Sequence, residues 1–138
     1  MLRRVTGTVA RVIVEKNRRL LCVQSRRLIQ DDEYEIPGGK VEDGETYLAA
    51  GRRELREETG LMLTQAKIIL IYDRQTPFGT YWRHVIIRAV DWYGPVHISD
   101  TQEISQVGWF RHQDKPEFDH HTKFLTKQFG SVIQLWQS

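Results

Sequence analysis

A single cysteine, Cys22, excludes an intramolecular disulfide in this chain of 138 residues, and it suits a reducing compartment. Long apolar runs are missing as well. No stretch approaches the roughly 18 residues of a membrane span. The basic start MLRRVTGTVARV is not followed by the apolar segment of a secretory signal. Neither sign of charge is in large excess: 20 Lys and Arg against 18 Asp and Glu leave +2. That falls short of the concentrated basic face that nucleic acid requires. Repeats, low-complexity segments and linkers are also absent. Apolar residues at 40% and charged residues at 28% are ordinary for a globular chain, so a core can form without staples. The expectation is one domain over 1–138, cytoplasmic, with no membrane contact, as a monomer or homodimer.

What is there reads as an α/β pattern. VTGTVARVIV (5–14) alternates and is rich in β-branched residues, which predicts a strand, and RLLCVQS (19–25) predicts a second one pairing back across a turn at EKNRR. Cys22 falls in that strand as a small core residue. SRRLIQDDEYE and IPGGKVEDGE carry loop chemistry. TYLAAGRRELREET predicts a helix with Thr46 as N-cap and Leu48, Gly51 and Leu55 on one face. Gly51 in mid-helix points to close packing on a sheet. AKIILIYD (66–73) is a near-continuous apolar run, the signature of a strand buried on both faces. YWRHVIIRAVDW (81–92) and QVGWF (106–110) predict further strands, with Tyr81, Val85, Ile87 and Ala89 on one side of the longer one. EFDHHTKFLTKQFG predicts a second helix. A mixed sheet with helices on its faces accommodates this order.

The helix holding RRELREETG raises a charge problem. Glu54, Glu57 and Glu58 sit at i, i+3 and i+4, on one face, where like charges repel. Gly60 marks the C-terminal end, where the backbone dipole favours cations. Two resolutions exist: the acids point into water, or they surround a cation. Arg52, Arg53 and Arg56 interleave with them, and Arg53 pairs with Glu57 at i, i+4. Glu42 and Glu45 flank Gly44 upstream, and the pair Gly38–Gly39 lets backbone approach a ligand. All-oxygen donors suit a hard divalent ion such as Mg²⁺ or Mn²⁺, which commonly bridges phosphate oxygens. Such an ion lowers the pKa of water, offsets diphosphate charge and orients a leaving group.

From Gly39 the chain reads GKVEDGETYLAAGRRELREETGL. This is Gly39, five residues, Glu45, seven residues, Arg53-Glu54-Leu55, one residue, Glu57-Glu58, one residue, Gly60-Leu61. At all nine fixed positions, over residues 39–61, it resembles the signature box of the Nudix hydrolases (MutT-like proteins). The resemblance implies a Nudix-type α/β/α sandwich with a mixed β-sheet. It also implies hydrolysis of a pyrophosphate bond in a nucleoside diphosphate linked to some group X. By the same resemblance Glu54, Glu57 and Glu58 form a metal-binding, catalytic face, with Glu54 and Glu58 the most regular ligands. The Gly38 carbonyl is a further ligand. Arg53 orients the glutamates, Glu45 is a structural partner or outer ligand, and Gly60 stops the helix. Glu103, in SDTQEISQVGWF, is similar in placement to a later acid that serves some members as base or ligand.

Outside the box the signals are weaker. Lys40 follows the glycine pair and is a candidate phosphate partner. Tyr34, Phe78 and Trp82 are candidates to stack on a base, against the commoner role of strand aromatics in a core. His120 and His121 are adjacent, and on a helix neighbours point about 100° apart, so they do not share an ion. Pro77 resembles a downstream proline of ADP-ribose pyrophosphatases, and is equally a turn proline. The substrate expected first is a nucleoside triphosphate or a modified or damaged nucleotide. Alternatives are ADP-ribose or nucleotide-sugar pyrophosphatase activity, a non-catalytic nucleotide-binding module, and action on RNA 5′ ends.

Overall fold

The structure, a computed structural model, describes residues 4–111 together with Phe118, Asp119, Thr122, Lys123 and Leu125. Strands β1 (Gly7–Ile13), β2 (Glu15–Lys16) and β3 (Arg19–Ser25) come first, followed by a 3₁₀ turn at Arg26–Leu28. Then come β4 (Gly38–Lys40), helix α1 (Tyr47–Thr59), β5 (Met62–Gln75), β6 (Tyr81–Tyr93) and β7 (Ile104–Phe110). Two sheets result, one with strand order β4-β1-β6-β5 and one with order β2-β3-β7. The larger is mixed: β1 runs parallel to β6, from Gly7 opposite Trp82 to Ile13 opposite Arg88, while β4 and β5 pair antiparallel.

β1 and β6 form the centre, and alternation divides their side chains. Ala10, Val12, Val85, Ile87 and Ala89 join Ala50 and Leu55 of α1 in one core. Leu21 of β3 and half-buried Val107 and Trp109 of β7 close the same cluster. On the other face Ile13 and Ile86 pack with Cys22, Ile36, Phe118 and Leu125. Gly51 has the role its position predicts: a Cβ there would lie 2.6 Å from Ile87 Cδ1 and 3.2 Å from Val12 Cγ2.

Thr46 caps α1, its hydroxyl accepting from the Ala49 N–H at 3.1 Å. Gly60 ends the helix with φ +79°, a left-handed geometry open to glycine. Among the described residues no helix is long and apolar enough to cross a membrane.

Four expectations need correction. The first strand and 19–25 do not form one long hairpin. The chain leaves one sheet after Ile13 and enters the other, and only β2 turns back onto β3, through Asn17 and Arg18 at φ 52° and 61°. Both values are positive, as a tight two-residue hairpin turn demands. IPGGK is not all loop, since Gly38–Lys40 pairs with β1. The apolar run 66–73 is not buried on both faces. It belongs to an edge strand, and a register shift between Ile68 and Leu70 breaks its alternation. Ile69, Leu70 and Tyr72 reach the second core, whereas Ile68 and Ile71 remain 39% and 49% exposed. The strand at 106–110 starts two residues earlier, at Ile104. Of the second helix only Thr122, Lys123 and Leu125 are described, and they are helical. The rest of it, including His120 and His121, lies outside the described residues.

At Gly38, β4 lies close against β1. An added Cβ would stand 2.3 Å from the Ala10 carbonyl oxygen and 2.8 Å from Arg11 Cα. Backbone cannot swing aside as a side chain can. Gly38→Ala is therefore expected to destabilise the fold by about 1–3 kcal/mol, read from the urea midpoint. An unchanged midpoint would show that the two strands are not this close.

Candidate active site

The site begins with the helix register. Residues 54 and 58 lie one turn apart on the inner side of α1, so both carboxylates are drawn inward, 9% and 3% exposed. They are close enough to hydrogen-bond each other. The Gly38 N–H donates to Glu58 Oε1 at 3.4 Å. Gly39 leaves room for Glu54, since a Cβ there would come within 2.5 Å of its carboxylate. The glycine pair thus serves contact with the glutamates themselves.

A buried acid beside another carboxyl resists ionisation. Burial, then the Glu54 carboxyl and the charge of Glu35, push Glu58 well above its ordinary value, against the pull of the Gly38 N–H. Glu57 is also raised, by burial and the charge of Glu54, with Arg53 and Arg56 opposing. Its side chain is 39% exposed and turns toward Arg53 at 3.5 Å.

Arg53 gathers the acids. Its Nε donates to Glu45 Oε2 at 2.8 Å and its NH2 to Glu45 Oε1 at 3.0 Å, a two-pronged grip. NH1 donates to Glu54 at 2.8 Å, and NH2 also reaches the Lys40 carbonyl at 2.9 Å. This grip, helped by the Glu42 N–H, lowers Glu45 to about 2. Glu45 therefore stands as a structural partner of Arg53.

Glu54, Glu58, Gly38, Gly39, Lys40 and Glu103 line one cleft of about 630 Å³. That is within the usual range for a small-molecule site. Lys40 Nζ also sits 5.4 Å from the centre of the Trp82 ring. Glu57 is not among the lining residues. Neither are Tyr34 and Phe78. The Tyr34 ring packs on Phe110 at 4.8 Å and its hydroxyl donates to Gln106 at 2.8 Å. Phe78 is 93% exposed at the turn between β5 and β6. Of the three aromatics weighed for stacking, Trp82 is the one beside the cleft. It lines an adjoining hollow with Pro77, Arg74 and His84, and Val9 is common to both cavities.

Sequence reasoning did not place Arg11 or Glu35 at this cleft. Arg11, Arg26 and Arg27 line it, with buried Glu35 among them. Glu35 pairs with Arg27 and, at 3.7 Å, with Arg11. Burial raises Glu35, and both arginines oppose that. Arg11 was detectable, because it is the one charge in the apolar alternation VARVIV, and such a charge needs a partner.

Among the described residues no three acids, histidines or cysteines converge on one point as a ready cation site. In kind the residues do fit a hard divalent ion. The donors are carboxylate oxygens, and the Glu54–Glu58 contact is a like-charge pair that a cation would relieve.

A mouse protein named 8-oxo-dGDP phosphatase NUDT18 is 26% identical over 108 residues, 77% of this chain and 32% of its own length. The protein named 8-oxo-dGTP diphosphatase from Buchnera aphidicola is 34% identical over 58 residues, 42% of this chain and 45% of its own length. The chain thus spans less than half of either relative. The crystal structure of a MutT NUDIX hydrolase from Burkholderia pseudomallei superposes with a TM-score of 0.77 at 24% identity, covering 88% of this chain and 96% of that one. This likeness establishes the expected α/β/α sandwich with its mixed sheet. The family model described as NUDIX domain matches residues 3–128, and the chain belongs to that family.

Proposed function

We propose that the chain is a divalent-metal-dependent pyrophosphohydrolase, cleaving a phosphoanhydride bond in a small nucleotide. One observation carries this reading. The buried pair Glu54–Glu58 lines a cleft that Arg11, Arg26 and Arg27 also line. Carboxylates and guanidinium groups in one cleft suit a polyphosphate and its counter-ion.

Glu54 and Glu58 would hold Mg²⁺ or Mn²⁺, with the Gly38 backbone beside them. Such an ion offsets diphosphate charge and makes water more acidic. The chain's own groups do the rest. Arg53 holds Glu54 in place. Arg11, Arg26, Arg27 and Lys40, which line the cleft, bind phosphate oxygens. Glu103, exposed at the cleft edge, is the candidate to take the proton of the attacking water. Glu57, turned to Arg53, acts with the acid cluster from its rim.

The names of both curated relatives refer to 8-oxo-deoxyguanosine phosphates. They favour an oxidised purine nucleotide over ADP-ribose or a nucleotide sugar. A panel of canonical and oxidised nucleoside triphosphates and diphosphates, ADP-ribose, nucleotide sugars and 5′-triphosphate RNA, each with Mg²⁺ or Mn²⁺, tests the reading by the phosphorylated products formed: nucleoside monophosphate with pyrophosphate, phosphate or a sugar phosphate. Nucleotide binding without turnover of any member would leave a binding module instead. Within the reaction, Glu103→Gln is expected to lower kcat by about 10²–10⁴-fold with little change in KM. Near-normal turnover removes Glu103 from the base role.

A further inference from the structure

We propose that Asp100 is a positioning residue that latches the Glu103 loop onto the C-terminal end of α1, so that the helix acids and Glu103 move as one unit. The functional half of this proposal rests on the reading of Glu103 given above. The latch itself rests on a continuous chain of hydrogen bonds.

The last carbonyls of a helix have no partner within it. In α1 the Gly60 N–H takes the Arg56 carbonyl at 2.9 Å, and the segment after β6 takes the next ones. The His97 N–H donates to the Thr59 carbonyl at 2.8 Å. The Ser99 and Asp100 N–H groups both donate to the Glu57 carbonyl, at 3.2 and 3.0 Å. The peptide of Asp100 is thereby fixed to the helix that carries the acid cluster.

The other groups of Asp100 face the opposite way along the chain. Its carboxylate Oδ1 accepts from the Glu103 N–H at 3.1 Å, and its carbonyl accepts from the Ile104 N–H at 3.0 Å. Glu103 is held from its far side too, its carbonyl accepting from the Arg26 N–H at 2.7 Å. Arg26 Nε donates to the Thr101 carbonyl at 2.8 Å. One residue therefore joins helix, loop and the first residue of β7.

Three full-length proteins test the latch: wild type, Asp100→Ala and Asp100→Asn. Hydrogen–deuterium exchange is followed without metal over 99–105 and over α1. The Ala variant is expected to exchange the Glu103 amide about tenfold faster with α1 unchanged, which reads loop release rather than unfolding. On the substrate found by the panel, kcat is expected to fall about 10–100-fold with KM within about twofold, as for a displaced reacting group. Asparagine keeps an acceptor oxygen and is expected to recover most of both losses. Unchanged exchange in the Ala variant, or an Asn variant as impaired as Ala, overturns the latch. Should Glu103→Gln turn over normally, the role given to Glu103 has failed. The exchange result then decides the latch alone.

Discussion

Glu58→Gln is expected to reduce turnover by about 10²–10⁴-fold while the protein stays folded. The amide keeps the size of the acid and loses its negative charge. In the metal-free wild type Glu58 is buried against Glu54, and its carboxyl is raised well above the ordinary 4.5. The folded state therefore binds the proton more tightly than the unfolded state. As pH rises from about 4.5 through the raised folded value, stability falls. Metal-free wild type should accordingly melt lower as pH increases across that window, and the Gln variant, with no proton there to lose, should decline less. Added Mg²⁺ should raise the wild-type melting temperature, because ligands of the folded state stabilise it, and should move the Gln variant much less. A Gln variant with wild-type turnover would remove Glu58 from the site.

Arg53→Ala should damage both turnover and stability, and Arg53→Lys should rescue little of either. Arg53 is 19% exposed and contacts Glu45, Glu54 and Glu57 together with the Lys40 carbonyl. Alanine leaves those acids facing one another without a cation. Lysine restores a charge but lacks the planar fork that grips both oxygens of Glu45. We expect turnover to fall about 10²–10³-fold, since Glu54 loses its fixed direction. The melting temperature should drop by about 5–10 °C. Calorimetry beside steady-state kinetics reads both. A lysine variant with full activity would mean that charge alone, without geometry, is what Arg53 supplies.

Much of this was legible because its causes are local. Thr46, Gly51 and Gly60 act within one helix, where capping, close approach and termination each have a residue signature. The nine-position box fixes which carboxylates share a face, and helix periodicity does that without tertiary information. The failures share a different cause. The apolar run 66–73 looked central, but whether a strand is central depends on which strands flank it. β5 lies at the edge, so Ile68 and Ile71 meet solvent. Gly38–Lys40 is too short and glycine-rich to signal a strand, and it exists because β1 offers it partners. The pairing of Glu35 with Arg11 joins β1 to a distant segment, and no spacing rule reaches across that gap. Tyr34 and Phe78 were reasonable from type alone, but one packs on Phe110 and the other projects from a turn.

The parallel pairing of β1 with β6 has a kinetic corollary. Gly7 meets Trp82 and Ile13 meets Arg88, so the platform beneath α1 joins the start of the chain to a strand made long afterwards. Contacts this remote in sequence close slowly. During synthesis the acid-bearing helix emerges before β6 exists to receive it, and ribosomes add residues at about 5–20 per second. For seconds, Glu54 and Glu58 belong to a segment with no floor. Substitutions that weaken the β1–β6 pair should therefore lengthen that interval and lower the yield of native enzyme, even where the finished fold tolerates them.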